Sequence, residues 1–318
     1  MKILYLYNHR LFMGFENSVE IQLNLRNHTD FYTYGPYHAS HYAYSDEMKD
    51  KIEPVPYDEK IQAEDLINIF RPDVILMSYK EELEYWIPSD LHKVDVPVIS
   101  IEADYQLHEN DPDWFKKYVD LIIIMSYFDH TPVESVWWPF SVRDDIVKQI
   151  DINREREDKI FFMGSLNVDW YKIRRNALIE LANDNLVYFN KEKISINDYL
   201  SMMCNYIGTL TCSSVYHTPL AKMFEGMLTK TAVLTNWFKG SENLFGDLKP
   251  YYEYKDDCSN ICDVARELIN NNDKRIEIVD KAYKIVSEKH TASHRLAELH
   301  NIIDNFVKTG NIIRKWGH

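Results

Sequence analysis

With 318 residues, 45% of them hydrophobic, the chain is long enough for two domains of ordinary size, each with its own core. Its net charge of −14 repels nucleic acid and anionic membrane at long range, which argues against either as the main partner. Four cysteines in so long a chain make no disulfide framework and predict a reducing compartment. No apolar run approaches the ~20 residues that span a bilayer, so the expected location is the cytoplasm.

The opening MKILYLYN is too short and too polar for a secretory signal and reads as a first buried strand, residues 3–7. A helical pattern follows over 16–26, then a short strand at 31–34. Residues 36–60 are polar and aromatic, with Pro54 and Pro56, and read as a long excursion carrying His38 and His41. Helical spacing over 61–70 stops before Arg71-Pro72. The runs at 73–78, 98–102 and 121–125 are apolar on both faces, as strands of a covered parallel sheet are. Strand–helix alternation of this kind defines an α/β doubly wound domain. Trp137-Trp138-Pro139-Phe140 closes it, 143–150 is a linker helix, and the charged stretch 153–159 is an exposed break.

The second half repeats the logic. Strands are expected at 159–163, 186–189, 206–211 and 232–235, and helices at 171–182, 197–204 and 219–228, the last opened by Pro219. From 258 to 307 the pattern is almost all helical, with a break near His290-Thr291. The final stretch, 292–307, carries Leu296, Leu299, Ile302, Ile303 and Phe306 at helical spacing and is expected to pack on the first domain. The domain reading is therefore 1–142, a linker at 143–158, a second domain at 159–290, and a returning helix at 291–318.

The informative segment is 213–245, SSVYHTPLAKMFEGMLTKTAVLTNWFKGSENLF. Ligands of open parallel sheets sit outside the carboxyl ends of strands. A helix N-terminus there offers free N–H groups and a partial positive charge to a phosphate. Ser213, Ser214, His217 and Thr218 would line that mouth. Glu225 lies two turns further along, among Met223, Phe224, Met227 and Leu228. A carboxylate in so apolar a helix needs a partner. That partner is either a ribose diol or a neighbour, Lys222 or Thr229.

Phe224-Glu225-Gly226-Met227, preceded by Thr218-Pro219-Leu220 and followed by Ala232-Val233-Leu234-Thr235, resembles the donor-binding core of family-4-like glycosyltransferases (glycosyl transferases group 1). It is most similar to the CgeB-like branch, whose pattern is roughly T-P-L-R-x-F-E-A followed by an apolar strand. Asp273–Arg275, Ala282-Tyr283, Val286, His290-Thr291 and Arg295 resemble that branch's closing pattern, and Phe162-Met163-Gly164-Ser165 with Arg174-Arg175 its first C-domain strand and loop. The resemblance runs over about 159–300. It implies a GT-B fold, two Rossmann-like domains facing a cleft, with an N-terminal acceptor domain and a C-terminal domain for a nucleotide-sugar donor.

The resemblance also implies roles. Glu225 would bind the donor ribose, Lys222 would neutralise phosphate, and Arg174 or Arg175 would reach the pyrophosphate with forked donors. Gly164, with Ser165, would let the backbone approach closely. The plainer alternatives are a solvated helix face for Lys222, a surface helix turn for the two arginines and a turn glycine for Gly164. The family motif has a second glutamate eight residues before Glu225. Here that position is His217, which can bond a sugar or phosphate but is no permanent anion.

On the acceptor side, Glu102 and Asp104 follow the strand at 98–102. Either could act as general base toward a hydroxyl; Asp104 could equally cap the next loop. His9 and Arg10, after the first strand, are further acceptor or phosphate candidates. Asp111-Pro112-Asp113 has the D-x-D form of metal-dependent transferases, but precedes a helix at 114–118, where Asp is an ordinary cap. No metal and no cofactor are expected beyond the nucleotide-diphosphate sugar as co-substrate. The acceptor is expected to be a glycan, protein or small molecule rather than nucleic acid. Rival readings are a transferase acting on hydroxymethylated DNA bases, a silent nucleotide-sugar-binding protein, and another two-Rossmann enzyme such as a nucleotide-sugar epimerase.

Overall fold

The apolar runs of the first half become six parallel strands: β1 (Lys2–Leu6), β2 (Asp30–Tyr34), β3 (Val74–Ser78), β4 (Val98–Glu102), β5 (Leu121–Ile124) and β6 (Ser135–Trp137). In the computed structural model the described residues are 1–6, 30–36, 57–78, 86–103, 105–108, 111–192 and 194–316. They divide into two units, Met1–Trp138 with Leu296–His318, and Pro139–Arg295. The expected helix at 16–26, the loop with His9 and Arg10, most of the excursion at 36–60 with His38 and His41, and Asp104 lie outside the described residues.

In unit 1 the strand order is β2-β1-β3-β4-β5-β6. β3, β4 and β5 are buried at every position, their Val, Ile, Leu and Met side chains on both faces and Ser78, Ser100 and Glu102 buried among them. Helix α1 (Ala63–Phe70) ends on Arg71 in the left-handed region, φ 48°, directly before Pro72. Helix α2 (Pro112–Tyr118) starts earlier than expected: Asp111 is its N-cap residue, though without a side-chain capping bond, and Pro112 opens the first turn. The unit's core joins Leu4, Leu66, Ile75, Phe115 and Ile122. β6 was not read from the sequence, because three residues carry no measurable alternation.

Unit 2 follows the same plan with one strand fewer. It contains α3 (Asp144–Val147), β7 (Glu157–Met163), α4 (Lys172–Asn183), β8 (Val187–Asn190), α5 (Ile196–Met203), β9 (Tyr206–Leu210), α6 (Ala221–Leu228), β10 (Ala232–Asn236), α7 (Ser241–Phe245), β11 (Tyr252–Tyr254), α8 (Ile261–Asn270) and α9 (Asn272–Lys289). The order is β11-β10-β9-β7-β8, again all parallel. Its core gathers Ile160, Phe162, Leu181, Leu210, Leu234 and Leu268.

Several expectations shift. The linker helix is a single turn, α3. The charged stretch at 153–159 is not a bare exposed break. Arg156 donates to the carbonyls of Ile152, Tyr206 and Thr229 and to the Thr231 hydroxyl, stapling the entry of β7 to its neighbours. α7 and β11 occupy what read as loop; Gly240 and Gly246, at φ 76° and 61°, bracket so short a helix that no period shows. The long helical stretch breaks at Asn271, whose side chain caps α9 by accepting from the Lys274 amide.

The last helix, α10 (Ala292–Thr309), contributes Leu296 onward to unit 1. Leu299, Ile302 and Ile303 are buried, Ile302 lines a cavity of about 390 Å³ with Val136 and Trp137, and Arg314 pairs with Glu134 at 2.8 Å. The returning helix thus packs on the first sheet's edge.

Two junctions carry most of the specificity in unit 2. Gly226 faces the sheet: a Cβ there would stand 2.7 Å from Thr209 Cγ2 and 2.9 Å from Val233 Cγ2. The glycine lets α6 lie directly on β9 and β10. At the end of α9, Arg295, 1% exposed, donates to the carbonyls of Pro139 and Lys289 and bonds His290 Nδ1, while His290 Nε2 meets the Leu244 carbonyl. Beside it, Asp144 accepts from the Ser293 amide and hydroxyl and from Lys148, fastening α3 to the start of α10.

Gly226→Ala should destabilise the protein by about 1–3 kcal/mol through overpacking, although alanine is worth up to ~1 kcal/mol in an open helix. A denaturant midpoint equal to or above the parent's would refute the close-packing account. Asp144 offers a pH test. Burial alone would raise its carboxyl, but the bonds from Lys148 and Ser293 outweigh that and hold it below its ordinary 3.8. Its contribution is therefore complete above 3.8 and fades as pH falls through the lower folded-state value. Asp144→Asn should cost about 1–3 kcal/mol at neutral pH, with the gap to wild type closing below that point; a gap constant down to strong acid would contradict this.

Candidate functional site

Strand order decides where the crevice in unit 2 opens. β7 pairs with β8 on one side and β9 on the other, so the winding direction reverses between β7 and β9. A ligand crevice of an open parallel sheet forms outside the carboxyl ends at such a reversal. Here those ends deliver Gly164-Ser165 after β7, and Thr211 to Ser214 after β9.

The loop after β7 is held by arginines from α4. Arg175 donates to the carbonyls of Leu166 at 2.7 Å and Val168 at 2.9 Å, so its guanidinium shapes the loop. Arg174 is 2% exposed, donates to the Ser165 carbonyl at 3.1 Å and lies 3.6 Å over the Tyr171 ring. Its Nε is buried and has no hydrogen-bond partner among the described residues. Ser165 itself is exposed. Gly164 is where the cations converge: a Cβ there would stand 3.1 Å from Lys222 Cε and 3.7 Å from an Arg174 terminal nitrogen. The glycine makes room for the Lys222 stem, a neighbour the sequence did not suggest.

The loop after β9 is strained and heavily tied. Ser214 and His217 sit at φ 60° and 54°, a region costly for residues with a Cβ. The Ser213 amide donates to Asn236 Oδ1 and its hydroxyl to the Trp237 carbonyl. The Thr218 amide reaches the Ser213 carbonyl, and the Tyr216 amide the Ser214 hydroxyl. Ser214 and Thr218 are buried. His217 Nε2 lies 3.6 Å from Asp256 Oδ2, whose other oxygen accepts from Asn236, and the His217 ring packs on Trp237.

This loop delivers α6, which begins at Ala221 rather than Pro219. Leu220 is its N-cap, no side chain caps it, and its first turn carries no acidic residue. The Met223 amide bonds the Leu220 carbonyl; the amides ahead of it, at Ala221 and Lys222, have no carbonyl within the helix to bond, so that end favours an anion. One turn further, Glu225 Oε2 accepts from the Tyr199 hydroxyl at 2.9 Å, and the same hydroxyl accepts from Lys222 Nζ at 3.2 Å. Both charged side chains are partly buried. Burial pushes the Glu225 carboxyl up, against the opposing pull of Lys222 and Tyr199. Burial pushes the Lys222 ammonium down; Glu225 opposes this and the like charge of Arg174 adds to it. Lys222 therefore reaches the carboxylate through the Tyr199 hydroxyl, and Arg174 stands beside Lys222 as a second positive charge, an arrangement that can accept a phosphate.

Of the expected donor residues, Gly164, Arg174, Lys222 and Glu225 are brought together. Arg175 supports the loop behind them, and Ser214, His217 and Thr218 form the strained approach to α6. Glu102 lies in unit 1, 1% exposed at the end of β4, with the Ser100 hydroxyl bonded to its carboxylate. Tyr199, Asn236 and Asp256 were not anticipated; their contacts span 20 or more positions, and no local pattern announces them.

Two parallel doubly wound sheets, the second opening a cationic crevice, define a protein of the GT-B class, with two Rossmann-like domains. Consistent with this, a family model described as Glycosyl transferase-like matches residues 144–301. The match spans nearly all of unit 2 and the first turns of α10. No curated protein sequence matches the chain. Among solved structures, a glycosyltransferase from Rickettsia africae ESF-5 is similar at 14% identity, over 98% of this chain and 99% of that one, with a TM-score of 0.65. Anabaena Alr3699/HepE in complex with UDP-glucose is similar at 12% identity, over 96% and 100%, with a TM-score of 0.64. An alpha-glucosyltransferase in complex with UDP and a 13-mer DNA is similar at 12% identity, over 95% and 99%, with a TM-score of 0.55. At these identities the shared property is the fold. Among the described residues no helix is long and apolar enough to cross a membrane.

Replacing Lys222 by Met removes the charge that holds Glu225 down. The Glu225 carboxyl should then titrate at higher pH than in wild type, followed by carbon-13 NMR of the labelled carboxyl. A titration midpoint that does not move, or moves down, would show that the two groups do not sense each other.

Proposed function

We propose that the chain is a glycosyltransferase that takes a hexosyl or pentosyl unit from a nucleotide-diphosphate sugar, of the UDP type, and passes it to an acceptor hydroxyl without a metal or other cofactor. The observation that carries this reading is the meeting of Arg174 and Lys222 at Gly164, with Glu225 joined to Lys222 through Tyr199, beside a helix start without a side-chain cap at the reversal of the sheet. The match to a glycosyl transferase-like family model supports it. The UDP and UDP-glucose held by structures of the same fold point to the base. Within the family we favour the CgeB-like branch, on the motif around Glu225.

In this reading the diphosphate lies against the first-turn amides of α6, between Arg174 and Lys222, and Glu225 accepts from the ribose hydroxyls. As the glycosidic bond breaks, negative charge grows on the leaving phosphate oxygen. Fixed amides and cations already aimed at that oxygen lower the barrier, because they need no reorganisation. Ser214, Thr218 and the backbone at Gly164-Ser165 shape the approach. His217, braced by Asp256, bonds the departing sugar or phosphate. On the acceptor side we favour Asp104 over Glu102 as general base, since Glu102 is fully buried and already bonded to Ser100. We place the protein in the cytoplasm and the acceptor among glycans, proteins and small molecules. The charge of −14 weighs against DNA as acceptor.

Calorimetry with UDP-glucose, GDP, ADP, CDP and TDP should find binding with the uridine ligand. At 100 times its Kd such a ligand adds about 2.7 kcal/mol of stability. Arg174→Ala should slow sugar transfer roughly 10²–10³-fold, as loss of a charge-stabilising donor does, with UDP release depending on an acceptor. Failure of every nucleotide to bind would reject the reading. Binding without any turnover would favour a silent nucleotide-sugar-binding protein instead.

A further inference from the structure

We propose that Tyr199 is a positioning residue for the donor crevice: by standing between Lys222 and Glu225 it holds the carboxylate toward the pentose and sets the preference for a ribonucleotide over a 2′-deoxyribonucleotide. This rests on the reading above, in which Glu225 faces the ribose.

Lys222 and Glu225 are three residues apart on α6, a spacing at which opposite charges pair directly on a helix. Here a phenol separates them. The single hydroxyl proton goes to Glu225 Oε2, so the oxygen lone pairs are left to accept from Lys222 Nζ. Lys222 Nζ also lies 4.5 Å from the ring centroid of the same tyrosine. The ring cannot easily turn away. Tyr199 is 6% exposed, comes from α5, and packs against Phe161 at 5.9 Å.

The consequence concerns how many acceptors remain. A carboxylate recognising a diol must offer oxygens at fixed positions. With Oε2 held by Tyr199, Oε1 and the outer lone pair of Oε2 keep one orientation. Without the hydroxyl, Glu225 can rotate onto Lys222, and the carboxylate and the cation then satisfy each other instead of ribose and phosphate. The phenol prevents this internal neutralisation while still stabilising both charges.

The test compares wild type with Tyr199→Phe, using UDP and 2′-deoxy-UDP in calorimetry and a UDP-sugar in steady-state assays. Hydrogen bonds to charged groups are worth roughly 1.5–3 kcal/mol, so wild type should prefer UDP by about tenfold or more. The variant should bind UDP about tenfold more weakly, and its ribose preference should fall to within about threefold. KM for the donor should rise far more than kcat falls. A variant that loses UDP affinity but keeps the full preference would show a structural role only and overturn the proposal. Should the variant not fold, 3-fluorotyrosine placed at 199 serves instead: its fluorine signal should respond differently to UDP and to 2′-deoxy-UDP, and identical responses would overturn the proposal. Wild type that binds no uridine nucleotide would instead bring down the donor reading itself. Wild type that binds UDP and 2′-deoxy-UDP equally would remove Glu225 from the ribose.

Discussion

Two positive side chains meet at one glycine, with a single carboxylate tied to one of them through a tyrosine, and the proposed function of unit 2 depends on that imbalance. Arg174 has lost nearly all contact with water, and Lys222 is partly buried. A buried cation needs a counter-charge or bonded partners. Glu225 supplies one charge, and the Ser165 carbonyl and the Tyr171 face supply partial compensation for Arg174. The charge left over is what the proposed diphosphate would offset. The backbone builds the same preference, since the start of α6 is uncapped and free of acidic side chains.

Each part of the scaffold can be traced to that arrangement. Reversal of strand order between β7 and β9 leaves room for two loops to leave the sheet side by side. Arg175 fixes the first loop through two carbonyls, so Arg174, one position earlier, keeps a set direction. The second loop holds two left-handed residues in place with bonds from Asn236, Trp237 and its own serines, and so aims α6 at the first loop. Gly226 seats α6 against the strands, and Gly164 clears the path for Lys222. A larger residue at either glycine would shift the helix or the lysine, and the charges would part.

Strands apolar on both faces, and the helices between them, were legible because burial on two sides leaves unbroken runs of Val, Ile and Leu. β6, β11 and α7 were not, since three to five residues complete too few periods to show against noise. The side chains proposed for the donor site were singled out through a motif, but their geometry was not legible. Arg174 and Arg175 read as interchangeable neighbours, yet one helical step of about 100° sets Arg174 on the Ser165 carbonyl beside Gly164 and Lys222, and Arg175 on the carbonyls of Leu166 and Val168. Tyr199 was invisible for a different reason. It meets Glu225 across 26 positions, and a buried tyrosine on a short amphipathic helix looks like any core residue until its hydroxyl is seen between two charges.

The closing motif teaches the opposite lesson. His290, Thr291 and Arg295 belong to the same resemblance as Glu225, yet they are buried in packing. Arg295 binds carbonyls at 139 and 289 together with His290, whose ring packs on Phe224 and Phe245. Val142 bridges Thr291, and Asp144 holds Ser293. These bonds tie together the two places where the chain passes between units, at 138–139 and 295–296. Such a clasp serves the path of the chain and touches none of the residues around Gly164. A resemblance in that segment therefore reports the path of the chain, and the proposed reaction rests on the residues around Gly164. Phe224 connects the two: its ring supports His290 on one side, while the next residue along α6 is Glu225.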